Sequence, residues 1–207
     1  CTMRPLSIAK LRVLGPLPAL LLALALGAPT AEASSPAAVD QTLEEVSRAY
    51  QKGNIEEART QLIEAMKASP GEIPLHVAYI EMMIGLGQRE AVEEVYGGLV
   101  ITNKRDAVSL YLHGLTLETP EARQAAFKES QKVAPRFPWA HLGLASAALN
   151  LGHSDQALAH VRDALVLDQT LEPALELFGT LLAANGQLEE AIIAYEALAE
   201  QNTAIAR

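Results

Sequence analysis

Residues 172–205 read EPALELFGTLLAANGQLEEAIIAYEALAEQNTAI, two apolar-patterned stretches joined by Asn185-Gly186-Gln187. Apolar residues recur every three or four positions on each side of Gly186, which predicts two amphipathic helices. A glycine directly after a helical pattern supplies a left-handed backbone conformation that ends the helix at little steric cost. The stretch therefore predicts a helix, a tight turn and a second helix.

The same pattern recurs along the chain with a period of 34 residues. Turn glycines stand at Gly53, Gly87, Gly152 and Gly186; the first two and the last two are 34 residues apart, and the middle gap of 65 is 34 plus 31. A fixed period of roughly 20–50 residues is the signature of a repeat architecture. The residues five positions after these glycines are Ala58, Val92, Ala157 and Ala191, and those nine positions after are Leu62, Tyr96, Val161 and Tyr195.

These residues resemble the tetratricopeptide repeat family, and the resemblance covers about 39–205. The best copy is 172–205, where Phe178-Gly179, Gly186 and Tyr195 occupy positions of the family pattern. The resemblance implies an all-α fold, a right-handed superhelical α-solenoid of about five helix-turn-helix units. The units are expected at residues 39–72, 73–106, 107–137, 138–171 and 172–205.

The third unit lacks a turn glycine and is three residues shorter, which predicts a shortened turn. Thr119-Pro120-Glu121 is expected to begin its second helix, with Thr119 as the cap and Pro120 in the first turn. In the first unit Asn54 stands three residues before Glu57, a spacing that predicts a reciprocal cap.

The N-terminal segment has the three parts of a secretory signal peptide. Basic residues (Arg4, Lys10 and Arg12) precede an apolar run from Val13 to Ala28, and Ala31-Glu32-Ala33 offers a cleavage site. We expect removal of residues 1–33, a flexible lead-in at 34–38, and an exported, periplasmic protein. The alternative is an uncleaved membrane anchor, but prolines interrupt the run and it is shorter than the roughly 20 residues that span a bilayer.

Charge and cysteine content exclude several classes of function. The formal net charge is −9; without residues 1–33 there remain 13 basic and 24 acidic residues, a net charge of −11. A strongly acidic chain repels phosphate backbones, so no nucleic-acid partner is expected. The single cysteine is Cys1, so the repeat region has neither disulfides nor thiolate metal ligands.

The sequence carries no recognisable catalytic motif. There is no Gly-x-Ser-x-Gly, no Walker-type phosphate loop and no His-Glu-x-x-His, and no two histidines have the spacing that places two ligands on one helical face. His160 is expected on a solvent-facing side of its helix. We therefore expect structural or surface histidines, no metal, no cofactor, no small-molecule substrate and no enzyme activity.

A partner is expected on the inner surface of the superhelix, which the first helix of each unit lines. Trp139 is the single tryptophan and is either a binding anchor or a packing element between repeats; both interpretations stay open. The acidic net charge favours apolar or basic-apolar segments. The candidate groove residues are Tyr50, Val77, Glu81, Tyr111, Leu115, Trp139, Leu142, Ser146 and Asn150.

The sequence thus predicts a non-catalytic protein–protein interaction scaffold or adaptor of the bacterial envelope, which binds a peptide segment or a partner protein. The alternative is a repeat segment of a larger envelope protein that oligomerises through its ends or continues into an enzyme domain beyond Arg207. The last unit offers Ile192, Ile193, Tyr195 and Leu198 without a covering helix, so self-association through the C-terminal edge is also expected.

Overall fold

The computed structural model of the chain describes residues 36–103 and 105–205. Within these residues the structure is all-α, with ten helices and no strand. Residues 1–33, interpreted as a signal peptide, lie outside the described part of the chain. The helices are α1 Pro36–Gln51, α2 Ile55–Ala68, α3 Ile73–Gly85, α4 Arg89–Thr102, α5 Ala107–Thr116, α6 Pro120–Val133, α7 Pro138–Asn150, α8 Ser154–Leu167, α9 Glu172–Ala184 and α10 Leu188–Ile205.

The chain divides into two compact units, residues 1–104 and 105–207. Unit 1 contains α1 to α4, and unit 2 contains α5 to α10. In both units consecutive helices pack in pairs across three-residue connections, which is the arrangement that the glycine period predicts. No helix in the described ranges combines the length and the apolar character that crossing a bilayer requires.

Each predicted turn glycine ends a first helix in the left-handed conformation. At Gly186 φ is +77°, its N–H donates to the carbonyl of Ala183 at 3.1 Å, and the N–H of Gln187 donates to Leu182 at 2.9 Å. This hydrogen-bond pair is the Schellman motif, and it satisfies carbonyls at the helix end that lack a partner in the helix. Gly53, Gly87 and Gly152 have φ of +80°, +73° and +78° and carry the same pair of bonds.

The third repeat differs from its expected form. Its connection is three residues long like the others, and the missing residues come from α5, which has 10 residues where α3, α7 and α9 have 13. The prediction of a shortened turn was therefore wrong. The predicted cap is confirmed, since the Thr119 hydroxyl accepts a hydrogen bond from the N–H of Ala122 at 3.2 Å. Asn54 does not cap α2; its amide donates instead to Glu57 at 2.9 Å.

Close approach of helices in unit 2 depends on glycines beside aromatic rings. The Phe127 ring lies against both Gly114 and Gly143, where an added Cβ would lie 2.6 and 2.7 Å from ring carbons. Gly179 stands in the same relation to Tyr195, at 2.8 Å. Any side chain at these positions would force the rings out of place, because protein interiors are close-packed.

The two units fill their cores differently. Unit 1 buries bulky side chains, and four of its largest fully buried residues are Tyr79, Tyr96, Met66 and Met83. The core of α7 to α10 in unit 2 is instead rich in alanine, which lets paired helices approach closely. The fully buried alanines of this core are Ala145, Ala148, Ala157, Ala164 and Ala174.

Candidate functional site

An aromatic cluster surrounds Tyr111 at the start of unit 2. The Tyr111 ring centroid lies 5.6 Å from that of Phe127, 6.0 Å from Phe137 and 5.7 Å from Trp139. Tyr111 itself is only 3% exposed, whereas Trp139, in the first turn of α7, is partly exposed. Such tilted and edge-on ring pairs stabilise beyond the area that they bury. The tryptophan is thus held in place by the buried tyrosine behind it.

The other predicted groove residues of unit 2 divide by exposure. Ser146 and Asn150 are exposed, and they lie seven and eleven residues after Trp139, so all three share one side of α7. Leu115, one turn beyond Tyr111 on α5, is partly exposed. Leu142 is 8% exposed, so it and Tyr111 can support a surface but offer it little area. We call Leu115, Trp139, Ser146 and Asn150 the α5–α7 face.

Trp139 also packs against the alanine-rich core of unit 2, together with Leu177 and Phe178. The tryptophan therefore has a structural role in joining repeats, and its exposed part is available for a partner. Both interpretations of Trp139 are compatible with this position, so its role as an anchor stays a prediction.

In unit 1 the predicted groove residues are more open. Tyr50 is 39% exposed, and its hydroxyl lies over Gly85, where an added Cβ would be 3.3 Å away. Val77 is partly exposed and Glu81 is exposed. Partial desolvation of the carboxylate raises the pKa of Glu81. Because burial disfavours the charged form, a cationic partner group beside Glu81 would be favoured electrostatically.

The second surface that the sequence singled out lies on α10. Leu188, Ile192, Ile193 and Tyr195 are all exposed, whereas Leu198 is partly buried. Scattered apolar residues on a surface are normal, but several on consecutive turns of one helix form a patch that can bind another protein.

A buried histidine in unit 1 has all its hydrogen bonds satisfied. His76 Nε2 lies 3.1 Å from the carbonyl oxygen of Pro70, and Nδ1 lies 2.9 Å from the hydroxyl of Tyr96. Burial lowers the pKa of His76, against the smaller opposing effect of the Pro70 carbonyl. The neutral ring therefore donates from Nε2 to Pro70 and accepts from Tyr96 at Nδ1.

The equivalent histidine of unit 2, His141, has different neighbours. Its Nε2 lies 3.0 Å from the carbonyl oxygen of Pro135, as in unit 1, but its Nδ1 faces the amide nitrogen of Gln131 at 3.4 Å and the carboxylate of Asp163 at 3.8 Å. One ring nitrogen of His141, one of His160 and a carboxylate oxygen of Asp163 all lie within 4.8 Å of one another. The structure thus gathers three groups that can bind a metal.

The prediction that His160 faces solvent was wrong in one respect. The residue is partly buried, and its Nδ1 is buried without a hydrogen-bond partner among the described residues. Burial lowers the pKa of His160; the Asp163 charge opposes this shift, while His141 and Lys128 add to it.

Sequence reasoning missed this cluster because it searched for ligand pairs on a single helix. His141 is on α7, and His160 and Asp163 are on α8. Comparing the units in repeat register reveals the signal. At a shift of 65 residues, the shift between Gly87 and Gly152, unit 2 has ligand-type side chains at two positions where unit 1 has none. The register pairs His76 with His141, Val95 with His160, Tyr96 with Val161 and Gly98 with Asp163.

Solved structures similar to this chain are tetratricopeptide-repeat proteins. TTC0263, a thermophilic TPR protein of Thermus thermophilus, has a TM-score of 0.57 at 22% identity, over 79% of this chain and 91% of that one. MamA has a TM-score of 0.51 at 16% identity over 78% and 96%, and PilF of Pseudomonas aeruginosa has 0.51 at 20% over 79% and 76%. No protein-family model and no curated protein matches the chain.

These similarities define the class of fold. The chain is an all-α helical repeat of the tetratricopeptide type, as the resemblance predicted. At identities of 14–22% the likeness concerns the fold, and it transfers no binding partner to this chain.

Proposed function

We propose that this chain is a non-catalytic scaffold or adaptor of the bacterial envelope, which binds a peptide segment or partner protein on the α5–α7 face. The observation that carries the proposal is the position of Trp139, a partly exposed ring supported from behind by the buried ring of Tyr111 at 5.7 Å. Tryptophan is among the residues that most often dominate the energy of protein–protein interfaces.

The rigidity of this ring supports binding. A side chain already fixed by neighbouring aromatics loses little conformational freedom when a partner arrives, so less of the binding energy is offset by the cost of ordering it. Leu115 adds apolar area, and Ser146 and Asn150 can supply hydrogen bonds at the rim. With a net charge of −11 after removal of residues 1–33, the chain attracts basic-apolar segments and repels acidic ones.

The proposed location follows from residues 1–33. Their basic, apolar and Ala-x-Ala order directs export, after which the mature chain begins at Ser34. N-terminal sequencing of the protein recovered from the periplasm tests this. Recovery of the intact apolar run in a membrane fraction would instead establish an anchored protein.

The partner face is tested by site-specific photo-crosslinking in the producing cell. A photoreactive amino acid at Leu115 or Ser146 is expected to capture a distinct partner. The matched control is Val166, which is 80% exposed on the second helix of the fourth repeat. Equal crosslinking at Val166, or none at Leu115 and Ser146, would remove the α5–α7 face as the binding site.

A second candidate function is assembly through α10, as a repeat segment of a larger or oligomeric structure. The exposed side chains of Leu188, Ile192 and Ile193 on consecutive turns favour it. Sedimentation velocity on residues 34–207 is expected to show self-association that Ile193→Glu abolishes. A monomer at all concentrations would contradict assembly through α10, and the adaptor function would be the one candidate left.

A further inference from the structure

We propose that His141, His160 and Asp163 form a binding site for a divalent transition metal of the zinc class. One ring nitrogen from each histidine and a carboxylate oxygen of Asp163 lie within 4.8 Å of one another. The three residues come from the two helices of a single repeat, α7 and α8, within unit 2. This inference is independent of the partner-binding proposal, because it concerns other residues and another ligand.

The hydrogen bond at the far side of His141 prepares the ring for a metal. Its Nε2 donates to the carbonyl of Pro135 at 3.0 Å, so Nδ1 carries the free lone pair. A metal-binding histidine almost always donates its other N–H to a carbonyl or carboxylate, which fixes the ring and raises its basicity. Nδ1 lies 3.8 Å from Asp163 Oδ2, and its one hydrogen-bond donor, the Gln131 amide, is 3.4 Å away, near the outer limit of such a bond.

The second histidine has a buried atom that lacks a partner. His160 Nδ1 is buried, and no described residue offers it a hydrogen bond. Leaving a buried polar atom unpaired is unfavourable, so native structures seldom keep one without a reason. A ligand shared with His141 and Asp163 would hold the ring in a position that its own hydrogen bonds do not fix.

Repeat geometry brings the ligands together. His160 and Asp163 are three residues apart on α8, so they share one face of the helix. His141 reaches the same point from α7, where its ring is buried. Asp163 is exposed, so its carboxylate can rotate freely and close the remaining distance. Ligands of one tetrahedral zinc ion lie roughly 3.3 Å apart, as bond lengths of about 2.0 Å require.

Unit 1 shows the same scaffold without the metal-binding groups. Its His76 donates to Pro70 as His141 donates to Pro135, but Tyr96 completes the bonding of Nδ1. In unit 2 a valine, Val161, replaces that tyrosine, and the neighbouring positions carry His160 and Asp163 in place of Val95 and Gly98. Three changes in one neighbourhood therefore remove the tyrosine hydroxyl from the histidine Nδ1, which in unit 2 faces the Gln131 amide at 3.4 Å, and add two further ligands.

The donor set selects the class of metal. Two imidazoles and one carboxylate suit zinc and related borderline ions, whereas calcium and magnesium prefer oxygen ligands alone. Three protein ligands leave a coordination position open, which water or a partner side chain can fill.

Isothermal titration calorimetry with zinc chloride tests the site on the chain without a polyhistidine tag. Cys1→Ser is present in every version, because a thiolate is a strong zinc ligand. The expected result is one zinc ion per chain, with affinity weakened at least about 10-fold by Asp163→Asn and by His160→Ala. His153→Ala, which removes an exposed turn histidine, is the control and should bind as the parent does.

Asp163 is exposed, so Asp163→Asn should keep the fold, and circular dichroism verifies this. At one zinc concentration, zinc should also raise the melting temperature of the parent and of His153→Ala by more than that of Asp163→Asn. Absence of zinc binding by the parent, or equal binding by parent and Asp163→Asn, would overturn the proposal and leave the three side chains with a purely structural role.

Discussion

The second and fourth repeats place a histidine at the same position and use it in opposite ways. In unit 1 both ring nitrogens of His76 have partners, Pro70 on one side and Tyr96 on the other. In unit 2 His141 keeps the proline bond, but its second nitrogen faces Asp163 and His160. The comparison shows that two repeats can keep the same helix arrangement while substitutions at single positions change which groups surround the histidine.

The exchange of Tyr96 for Val161 also changes how the repeats are packed. Both residues are completely buried. Seven residues before their turn glycines stand Ile80 in the second repeat and Ala145 in the fourth, so unit 1 fills this crossing with large side chains and unit 2 with small ones. The histidine therefore has a hydroxyl group as its partner only in unit 1, where the crossing holds the large ring of Tyr96.

The largest effect is expected from Tyr96→Val, which gives unit 1 the residue that unit 2 has. Because the helices of unit 1 are not packed through alanines at this crossing as those of unit 2 are, the smaller side chain leaves a cavity and an unpaired His76 nitrogen. We therefore expect a loss of about 3–5 kcal/mol in unfolding free energy. Urea unfolding followed by circular dichroism measures it, while Trp139 fluorescence reports on unit 2 alone. Tyr96→Phe keeps the ring and should cost only about 1–3 kcal/mol. A neutral Tyr96→Val would show that the two crossings are interchangeable.

A smaller loss of stability is expected when the aromatic residues of the predicted groove are removed, and it should differ between the two units. Trp139 packs on Tyr111 and on the core, so Trp139→Ala should cost about 2 kcal/mol of stability, less than the roughly 3–5 kcal/mol of a fully buried ring. Tyr50→Ala in unit 1 should cost about 1 kcal/mol or less, since the residue is exposed.

Thermal melting and partner capture on the same variants separate the two roles of Trp139. A Trp139→Ala chain that keeps its fold and loses its partner makes the tryptophan an anchor, because truncating an anchor costs about 2 kcal/mol or more of binding. A chain that loses much more than the expected amount of about 2 kcal/mol and no longer folds makes it scaffold. A folded chain that captures its partner as the parent does would contradict the proposed α5–α7 face.

Acid should destabilise unit 1 through His76. Burial places the folded pKa of His76 below its value of 6.5 in the unfolded chain, so below that pH the unfolded state takes up a proton that the folded state refuses. Stability is expected to be unaffected by this group near pH 8 and to fall as the pH drops through 6.5. Each unit of lowered pKa corresponds to about 1.4 kcal/mol.

The variant His76→Gln isolates this contribution. Its unfolding free energy, measured by urea titration between about pH 8 and pH 5, should fall less steeply than that of the parent. Identical slopes in the two chains would show that His76 takes up protons equally in the folded and unfolded states and that burial does not lower its pKa.

The smallest contrast concerns the helix caps. Thr119 caps α6 through a hydrogen bond to the N–H of Ala122, so Thr119→Ala should cost about 1 kcal/mol. Asn54 holds the same place before α2 but makes no such bond, and Asn54→Ala should cost less than about 0.5 kcal/mol. Equal losses measured by urea unfolding would mean that the Asn54–Glu57 contact stabilises α2 as well as a cap does.

The helix pairs themselves could be predicted from the sequence because their signals are local. Gly186 ends a helix by its own backbone conformation, and Thr119 starts one with a bond to a residue three positions away. The same period that places these turns also gives the tetratricopeptide resemblance. The sequence could not predict that α5, and not the turn, is three residues shorter in the third repeat. Either loss gives the same spacing between the repeats along the chain.

The candidate groove residues lie on the helices that the sequence predicted for them, whereas the sequence did not predict how exposed each one is. Helical periodicity assigns Trp139, Ser146 and Asn150 to one side of α7, as the structure has them. It does not reveal that Phe127, Phe137 and Trp139 together enclose Tyr111, because those contacts join three separate segments of the chain.

By itself, the sequence determined the all-helical repeat, the register of its turns and the acidic character of the chain, since each depends on neighbours along the chain or on composition. Only the tertiary structure decided which side chains meet. His141 and His160 are nineteen residues apart and lie on different helices, and their nitrogens converge with Asp163 because α7 and α8 pack against each other through alanines. Such convergence depends on the distance between helix axes, which the side chains of both helices set jointly.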